Sequence, residues 1–462
     1  MKIIVVGVNH AGTSAIRTLL AQNPQNKVTA YDRNDNISFL GCGIALAVSG
    51  IVKDMKDLFY SNPAELQKMG ASVFMRHEVM KINTDTKTVV VKNLDTNEMI
   101  EDKYDKLVVA AGSWPICTPG AELNYADKYC GGIKNLVASK TYQHAQEIIR
   151  DMEDPAIKRV AIIGAGYIGI ELAEAAMERG KETTLIDLLP APAAHYYDHE
   201  ISDMLAASVK KAGVHLMVGT KVEGYTVNQA NKTITGVQTD HGKVEADLVI
   251  QSIGFHPNTS LLPNAKKVKN GAIIVNEHCE SSIPDVYVIG GMAALYNAAT
   301  GQHMGIDLAT NAVKTGIAAA CHINGAGHVA LESVVGTNAI HVFGNHLAST
   351  GISEDAAKHM GIEVATSFWE DNDRPEWMNT YDRVKCKLVF DKQSLRLLGA
   401  QIGSHNTNHT ETIYYLALAI QKKMTLIDLA FTDVFFLPHY NKPFNFVLGA
   451  IMQALGLNYF KG

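Results

Sequence analysis

The sequence has no long hydrophobic run, no paired-cysteine motif and no surplus of positive charge, and each absence removes a class of function. No apolar stretch among its 462 residues approaches the roughly 18 that a membrane helix requires, so no membrane span is expected. The apolar run that opens the chain is short and broken by Gly7, which argues against a secretory leader. The cysteines (Cys42, Cys117, Cys130, Cys279, Cys321 and Cys386) form no C-x-x-C and no paired zinc spacing. A cytoplasmic protein with reduced thiols is the expectation. Lys and Arg number 41 against 47 Asp and Glu, a net charge of −6 that leaves no electrostatic footprint for nucleic acid or an anionic membrane. Two histidine pairs, His195 with His199 and His405 with His409, have the spacing that shares a helix face. Prolines crowd the first pair, the second lies in an Asn- and Thr-rich stretch, and two ligands alone do not make a site. No metal is expected.

What is present is an ordinary globular composition, 47% hydrophobic and 19% charged, long enough for about three domains at ~150 residues each. Lys2 to Gly7 is an apolar run too short for a helix and bounded by glycine, so it reads as a buried parallel strand. A helix is expected from about Thr13 to Gln22 and a second strand over Lys27–Asp32. The same order returns with a strand over Arg159–Gly164, a helix over Ile168–Glu178 and a strand over Glu182–Asp187. Lys106–Gly112 and Asp247–Gly254 echo each other as buried strands ending in glycine. Further on, a strand is expected at Asp285–Gly290 and a helix at Leu308–Cys321. Alternating segments at Lys385–Phe390 and Leu397–Ile402 and a helix at Glu411–Lys422 predict a C-terminal α+β domain.

The two βαβ starts carry glycine motifs. Gly164-Ala165-Gly166-Tyr167-Ile168-Gly169 is a complete G-x-G-x-x-G. Its first glycine makes the turn, its second admits a pyrophosphate, and its third lets helix and strand pack closely. Phosphates then meet the unpaired amides of the helix N-terminus. Asp187, at the end of the following strand, is placed to accept hydrogen bonds from a ribose 2′-hydroxyl. No arginine follows it at Leu188, Leu189 or Pro190, which favours NAD(H) over NADP(H). The first motif is degenerate, with Asn9 between Gly7 and Gly12 and the acid supplied by Asp32.

One cysteine stands apart. Cys42 lies between Gly41 and Gly43, ahead of an apolar segment able to form a helix. A helix N-terminus favours a thiolate, and flanking glycines let a ligand approach. No second cysteine is near in sequence, so its redox options are a sulfenic acid or a mixed disulfide with a small thiol. Leu40, Ile44, Ala45 and Leu46 make its surroundings apolar, which suits a small uncharged oxidant.

Together these features resemble the flavin- and pyridine-nucleotide-dependent disulfide oxidoreductases, in the single-cysteine branch of NADH oxidases, NADH peroxidases and coenzyme A disulfide reductases. The resemblance rests on Gly7–Gly12 with His10, Ser38–Gly43, Leu58–Ser61, Ala110–Gly112, Gly164–Gly169, Gly254–Asn258 and Phe435–Phe444. It implies an α/β fold of two Rossmann-like domains plus a C-terminal α+β dimerisation domain. The expected limits are 1–115 with 245–325 for FAD, 116–244 for NAD, and 326–462 for the dimerisation domain. It implies FAD held by Gly7, Asn9, Gly12, Asp32, Ala111, Gly112, Gly290 and Gly291. NADH would be held by Gly164, Gly166, Tyr167, Ile168, Gly169, Asp187 and Gly254.

The resemblance also implies catalysis by Cys42, cycling between thiolate and sulfenic acid, with His10 beside it as acid or hydrogen-bond donor. The activity it implies is reduction of O2 to water by two NADH, in a homodimer. The alternatives are reduction of H2O2 by NADH, reduction of coenzyme A disulfide, and a non-catalytic flavin redox sensor. For the disulfide, the sequence near Cys42 offers only Lys53 and Lys56 as phosphate partners. The C-terminal aromatics Phe435, Phe436, Tyr440, Phe444 and Phe446 are expected in a core or a dimer interface. One departure stands out. The family's late strand ends in Gly-Asp, with that Asp on the FAD ribityl chain, whereas here Gly290 is followed by Gly291. Asp307, just before a helix, is also atypical and has no assigned role.

Overall fold

The computed structural model describes residues 1–457; the last five residues of the expected third domain lie outside the described residues. The opening apolar run forms β1 (Lys2–Val6), whose Ile3, Ile4 and Val5 are fully buried. Burial without alternation is what a parallel strand covered on both faces requires. There follow α1 (His10–Gln22), β2 (Lys27–Asp32), α2 (Ile44–Ser49), β3 (Ser72–Met75) and β4 (Lys106–Val109). The chain then builds a second unit from β5 (Leu136–Ala138), β6 (Arg159–Ile163), α3 (Tyr167–Glu178), β7 (Glu182–Ile186), β8 (His215–Met217) and β9 (Leu248–Gln251). It returns to the first unit as β10 (Val286–Val288) and α4 (Ala309–Ile323).

Both sheets are parallel, in the orders β10-β4-β1-β2-β3 and β8-β7-β6-β9-β5. The echo between Lys106–Gly112 and Asp247–Gly254 is therefore structural: β4 lies beside β1 as β9 lies beside β6. Each unit also inserts a three-stranded antiparallel sheet, half exposed, over 77–103 in the first and 222–245 in the second. One expected boundary is corrected. The return to the first unit was placed at residue 245, but β9 pairs with β6, so residues 248–251 belong to the second sheet and the crossing follows them.

The remaining strands, β11 (Asn338–Val342), β12 (Asn345–Gly351), β13 (Val364–Asn372), β14 (Arg383–Asp391) and β15 (Leu397–Ser404), form an antiparallel sheet in the order β11-β12-β15-β14-β13. Helices α5 (Ile413–Gln421) and α6 (Phe446–Ala454) pack their apolar residues on its core. Lys387 ties this domain to the second unit. Its buried Nζ lies 2.8 Å from both Glu200 and Glu354 and 3.4 Å from Asp198. A charge so enclosed is tolerable only because three carboxylates surround it. Of the C-terminal aromatics, Phe446 is in the core, whereas Phe435, Phe436 and Tyr440 are exposed.

Candidate active site

Two of the glycine turns are built alike. Gly7 and Gly164 have φ of +90° and +99°, a conformation open to glycine at little cost. A Cβ on Gly12 would collide with the Gly7 carbonyl, and one on Gly169 with the Gly164 carbonyl. The third glycine of each motif thus serves helix–strand packing, as expected. Neither lines the cleft described below, while every other residue expected to hold a nucleotide does. The middle position differs: a Cβ on Gly166 would meet nothing within 4 Å, so that side of the turn is open, while the first motif places Asn9 there as the N-cap of α1. Neither α1 nor α3 has a side-chain cap, which leaves its first-turn amides available for phosphate.

The acids repeat as well. Asp32 accepts hydrogen bonds from the Val8 and Asn34 amides at 2.7 and 2.8 Å, and Asp187 from the Ala165 and Leu189 amides at 2.5 and 2.7 Å. Each carboxylate braces its own glycine turn, a second role that spacing alone did not reveal. On the far side, Asn258 clamps the turn after β4: its side chain donates to the Ala111 carbonyl at 2.8 Å and its amide to the Gly112 carbonyl at 2.9 Å.

These turns open on one cleft of about 1820 Å³, lined by Asp32, Gly7–His10, Cys42, Gly164, Gly166–Ile168 and Asp187. Two cradles for extended, phosphate-bearing ligands thus converge on one thiol. Uncapped helix ends, an open middle glycine and an acid at each strand end fit two dinucleotides.

Cys42 sits in a 3-10 turn, Gly41–Gly43, rather than at the start of α2. Gly43 packs under the Leu58 side chain, which a Cβ there would displace. The expectation of a helix-favoured thiolate is corrected. Burial raises the Cys42 thiol above its ordinary range, a backbone hydrogen bond opposes this, and the Glu171 carboxylate raises it further. The thiol is open to the cleft, yet the walls remove enough bulk water for desolvation to win. Glu171, on α3, is itself held up at about 7 by burial and by Glu174.

His10, on the first turn of α1, lines the same cleft, and its hydrogen-bond partner is Tyr60. Burial and the nearby Lys140 ammonium both lower its pKa, so the ring is neutral at pH 7. Lys140 donates to Ser113 Oγ at 3.1 Å and lies 3.9 Å from the Phe255 ring centroid. Tyr60, Ser113, Lys140 and Glu171 were not singled out from sequence as site residues. Tyr60 lay within the quoted Leu58–Ser61 segment, and the other three come from separate elements that only the fold brings together.

Comparison with known proteins agrees with this architecture. Residues 1–316 match the pyridine nucleotide-disulphide oxidoreductase family, and residues 338–445 match the dimerisation domain of the same family. The chain belongs to that family. It is 55% identical to an NADH oxidase of Mycoplasma pneumoniae over 99% of this chain and 98% of that one. It is 42% identical to an NADH oxidase of Enterococcus faecalis over 98% and 99%. Among solved structures, a water-forming NADH oxidase of Lactobacillus brevis bound to NADH superposes with a TM-score of 0.90 at 38% identity, covering 99% of this chain and 98% of that one.

Proposed function

We propose that this chain is a flavin-dependent NADH oxidase that reduces O2 to water, with Cys42 as its redox-active residue. The observation that carries the reading is the convergence of two dinucleotide cradles on a single cysteine in one cleft. FAD supplies, when bound, the two-electron relay between nicotinamide and acceptor. Asp32 and the Gly7–Gly12 turn hold its adenosine half, and the Ala111–Gly112 turn flanks the route to Cys42. Asp187 and Gly164–Gly169 hold NADH.

Cys42 accounts for the second half of the reduction. One NADH converts O2 to the peroxide level. The Cys42 thiol gives up its proton as its sulfur attacks one peroxide oxygen, the O–O bond breaks, the other oxygen leaves as water with that proton, and the sulfur becomes a sulfenic acid. A second NADH reduces the S–O bond, the oxygen leaves as a second water, and the thiol returns. The sum is O2 with two NADH and two protons giving two waters and two NAD⁺. His10, neutral at pH 7, supplies a hydrogen bond to the departing oxygen. With no second thiol beside Cys42, the sulfenic acid is not diverted into an internal disulfide.

The exposed aromatic segment with Phe431, Phe435, Phe436 and Tyr440 supports a homodimer, since a monomer rarely leaves so many large apolar side chains in water. Sedimentation of the full chain as a monomer at micromolar concentration would remove that part of the reading. Six free thiols support a cytoplasmic setting, which fractionation of the native source tests. The activity is tested by oxygen consumption on protein supplied with FAD. Two NADH per O2, unaffected by catalase, is the expected result. One NADH per O2, with half the oxygen returned by catalase, overturns water formation.

A further inference from the structure

Gly291 and Asp307 meet in the wall of the cleft although they are sixteen residues apart and lie on different elements. Gly291 sits in the 3-10 turn after β10, and Asp307 precedes α4. A Cβ built on Gly291 would come within 3.0 Å of Asp307 Oδ1, 3.3 Å from its Cγ and 3.4 Å from Ser113 Oγ. The space that a side chain at 291 would enter is therefore filled by the Asp307 carboxylate. Glycine at 291 is what admits it.

The carboxylate has a defined electrostatic setting. Burial raises its pKa, while Lys140 and a hydrogen bond from the Ser113 hydroxyl lower it. Lys140 in turn donates to Ser113, so ammonium, hydroxyl and carboxylate form a chain. Nevertheless the Asp307 side chain remains open to the cleft. Among the described residues only the Ser113 hydroxyl donates a hydrogen bond to it, so acceptor positions face the cavity.

Its place along the cleft identifies the ligand chemistry. Gly290 abuts Ala11 in the first turn of α1, the phosphate-binding end of the first unit. Lys140 lies toward the Cys42 end: its carbonyl is 3.5 Å from where a Cβ on Gly41 would stand. Between a phosphate and an aromatic ring system that reaches Cys42, the bound ligand must be a linker, and an acceptor-only group there recognises hydroxyls. We propose that Asp307 is the carboxylate that holds the ribityl hydroxyls of FAD, and that Gly291 and Asp307 act as one unit, the glycine leaving the room that the acid fills from the neighbouring helix. This rests on the flavin reading above.

The test is FAD binding by apoprotein, read from quenching of flavin fluorescence and from the temperature of flavin release, independently of turnover. Asp307→Ala is expected to weaken FAD by about tenfold or more, and Asp307→Asn, which retains shape, by less. Gly291→Asp alone also weakens binding, because two carboxylates compete for one space. Gly291→Asp with Asp307→Ala returns affinity to within about threefold of the parent, as a relocated acceptor should. Unchanged affinity in Asp307→Ala overturns the proposal, and so does a double variant no better than either single one. Failure of the unaltered apoprotein to bind FAD at all would instead overturn the flavin reading and this proposal with it. Melting of each apoprotein identifies a variant that has merely misfolded, and Asp307→Asn then decides.

Discussion

His10 Nδ1 lies 2.8 Å from the Tyr60 hydroxyl, and the two rings stack 5.4 Å apart and 6° from parallel. Burial pushes the Tyr60 phenol up to about 12, so it stays protonated across the working range. With Tyr60 as donor, the neutral imidazole keeps its proton on Nε2 and has a fixed orientation. His10→Gln is expected to slow peroxide reduction by about 10²-fold, the range of a lost hydrogen bond to a developing charge. Tyr60→Phe, which removes only the orienting bond, should cost about tenfold. Rapid mixing of NADH-reduced enzyme with H2O2 measures both, and the KM for NADH should not move. Equal rates in all three proteins would remove His10 from the chemistry.

The two structural roles within the second glycine motif can be separated. Gly169→Ala collides with the Gly164 carbonyl and should lower the melting temperature by several degrees, with or without ligand. Gly166→Ala enters open space and should leave apoprotein melting unchanged while raising the KM for NADH about tenfold or more. Thermal melts and NADH titrations decide, and a destabilised Gly166→Ala would contradict the assignment.

The proposed role of Asp187 in cofactor choice is tested by substitution as well. Its neighbour Leu188 is exposed and free to be replaced. Asp187→Ala with Leu188→Arg removes a repulsive carboxylate and adds a phosphate partner. The ratio of kcat/KM for NADPH over NADH should rise by about 10²-fold. Steady-state rates with each nucleotide test it, and an unchanged ratio would detach Asp187 from the ribose.

Most of the fold was legible because buried parallel strands announce themselves. β1, β6 and their glycine turns are local patterns, and the acids Asp32 and Asp187 follow at fixed distance. The antiparallel inserts at 77–103 and 222–245 were not, since their outer strands are mostly exposed or half-buried and only the central strands, Thr88–Asn93 and Thr233–Thr239, are largely buried. The site was legible where one segment supplies it, as with Cys42 and the glycine motifs. It was not where the fold assembles it: Lys140, Ser113 and Asp307 come from three separate segments, and the sixteen residues between Gly291 and Asp307 hide that the two are neighbours. The thiolate expectation failed because a helix dipole acts over one turn, while desolvation and Glu171 act on the thiol itself.

Glu171 gives that environment a pH dependence. With its carboxyl held up at about 7, it is neutral below that pH and adds a negative charge facing Cys42 above it. The added charge disfavours the thiolate as pH rises. Glu171→Gln should therefore lower the midpoint of Cys42 alkylation by iodoacetamide and speed the reaction about threefold at pH 8. Subtracting the Cys42→Ser background isolates this thiol, and an unmoved midpoint would contradict the coupling.

The role of Cys42 is tested most directly by the NADH-to-oxygen stoichiometry of Cys42→Ser, measured with and without catalase on FAD-loaded protein. The account predicts continued NADH oxidation at one NADH per O2, with peroxide accumulating and catalase returning half the oxygen. Two NADH per O2 and no peroxide from Cys42→Ser would show that water forms without this thiol, and the central claim would be wrong.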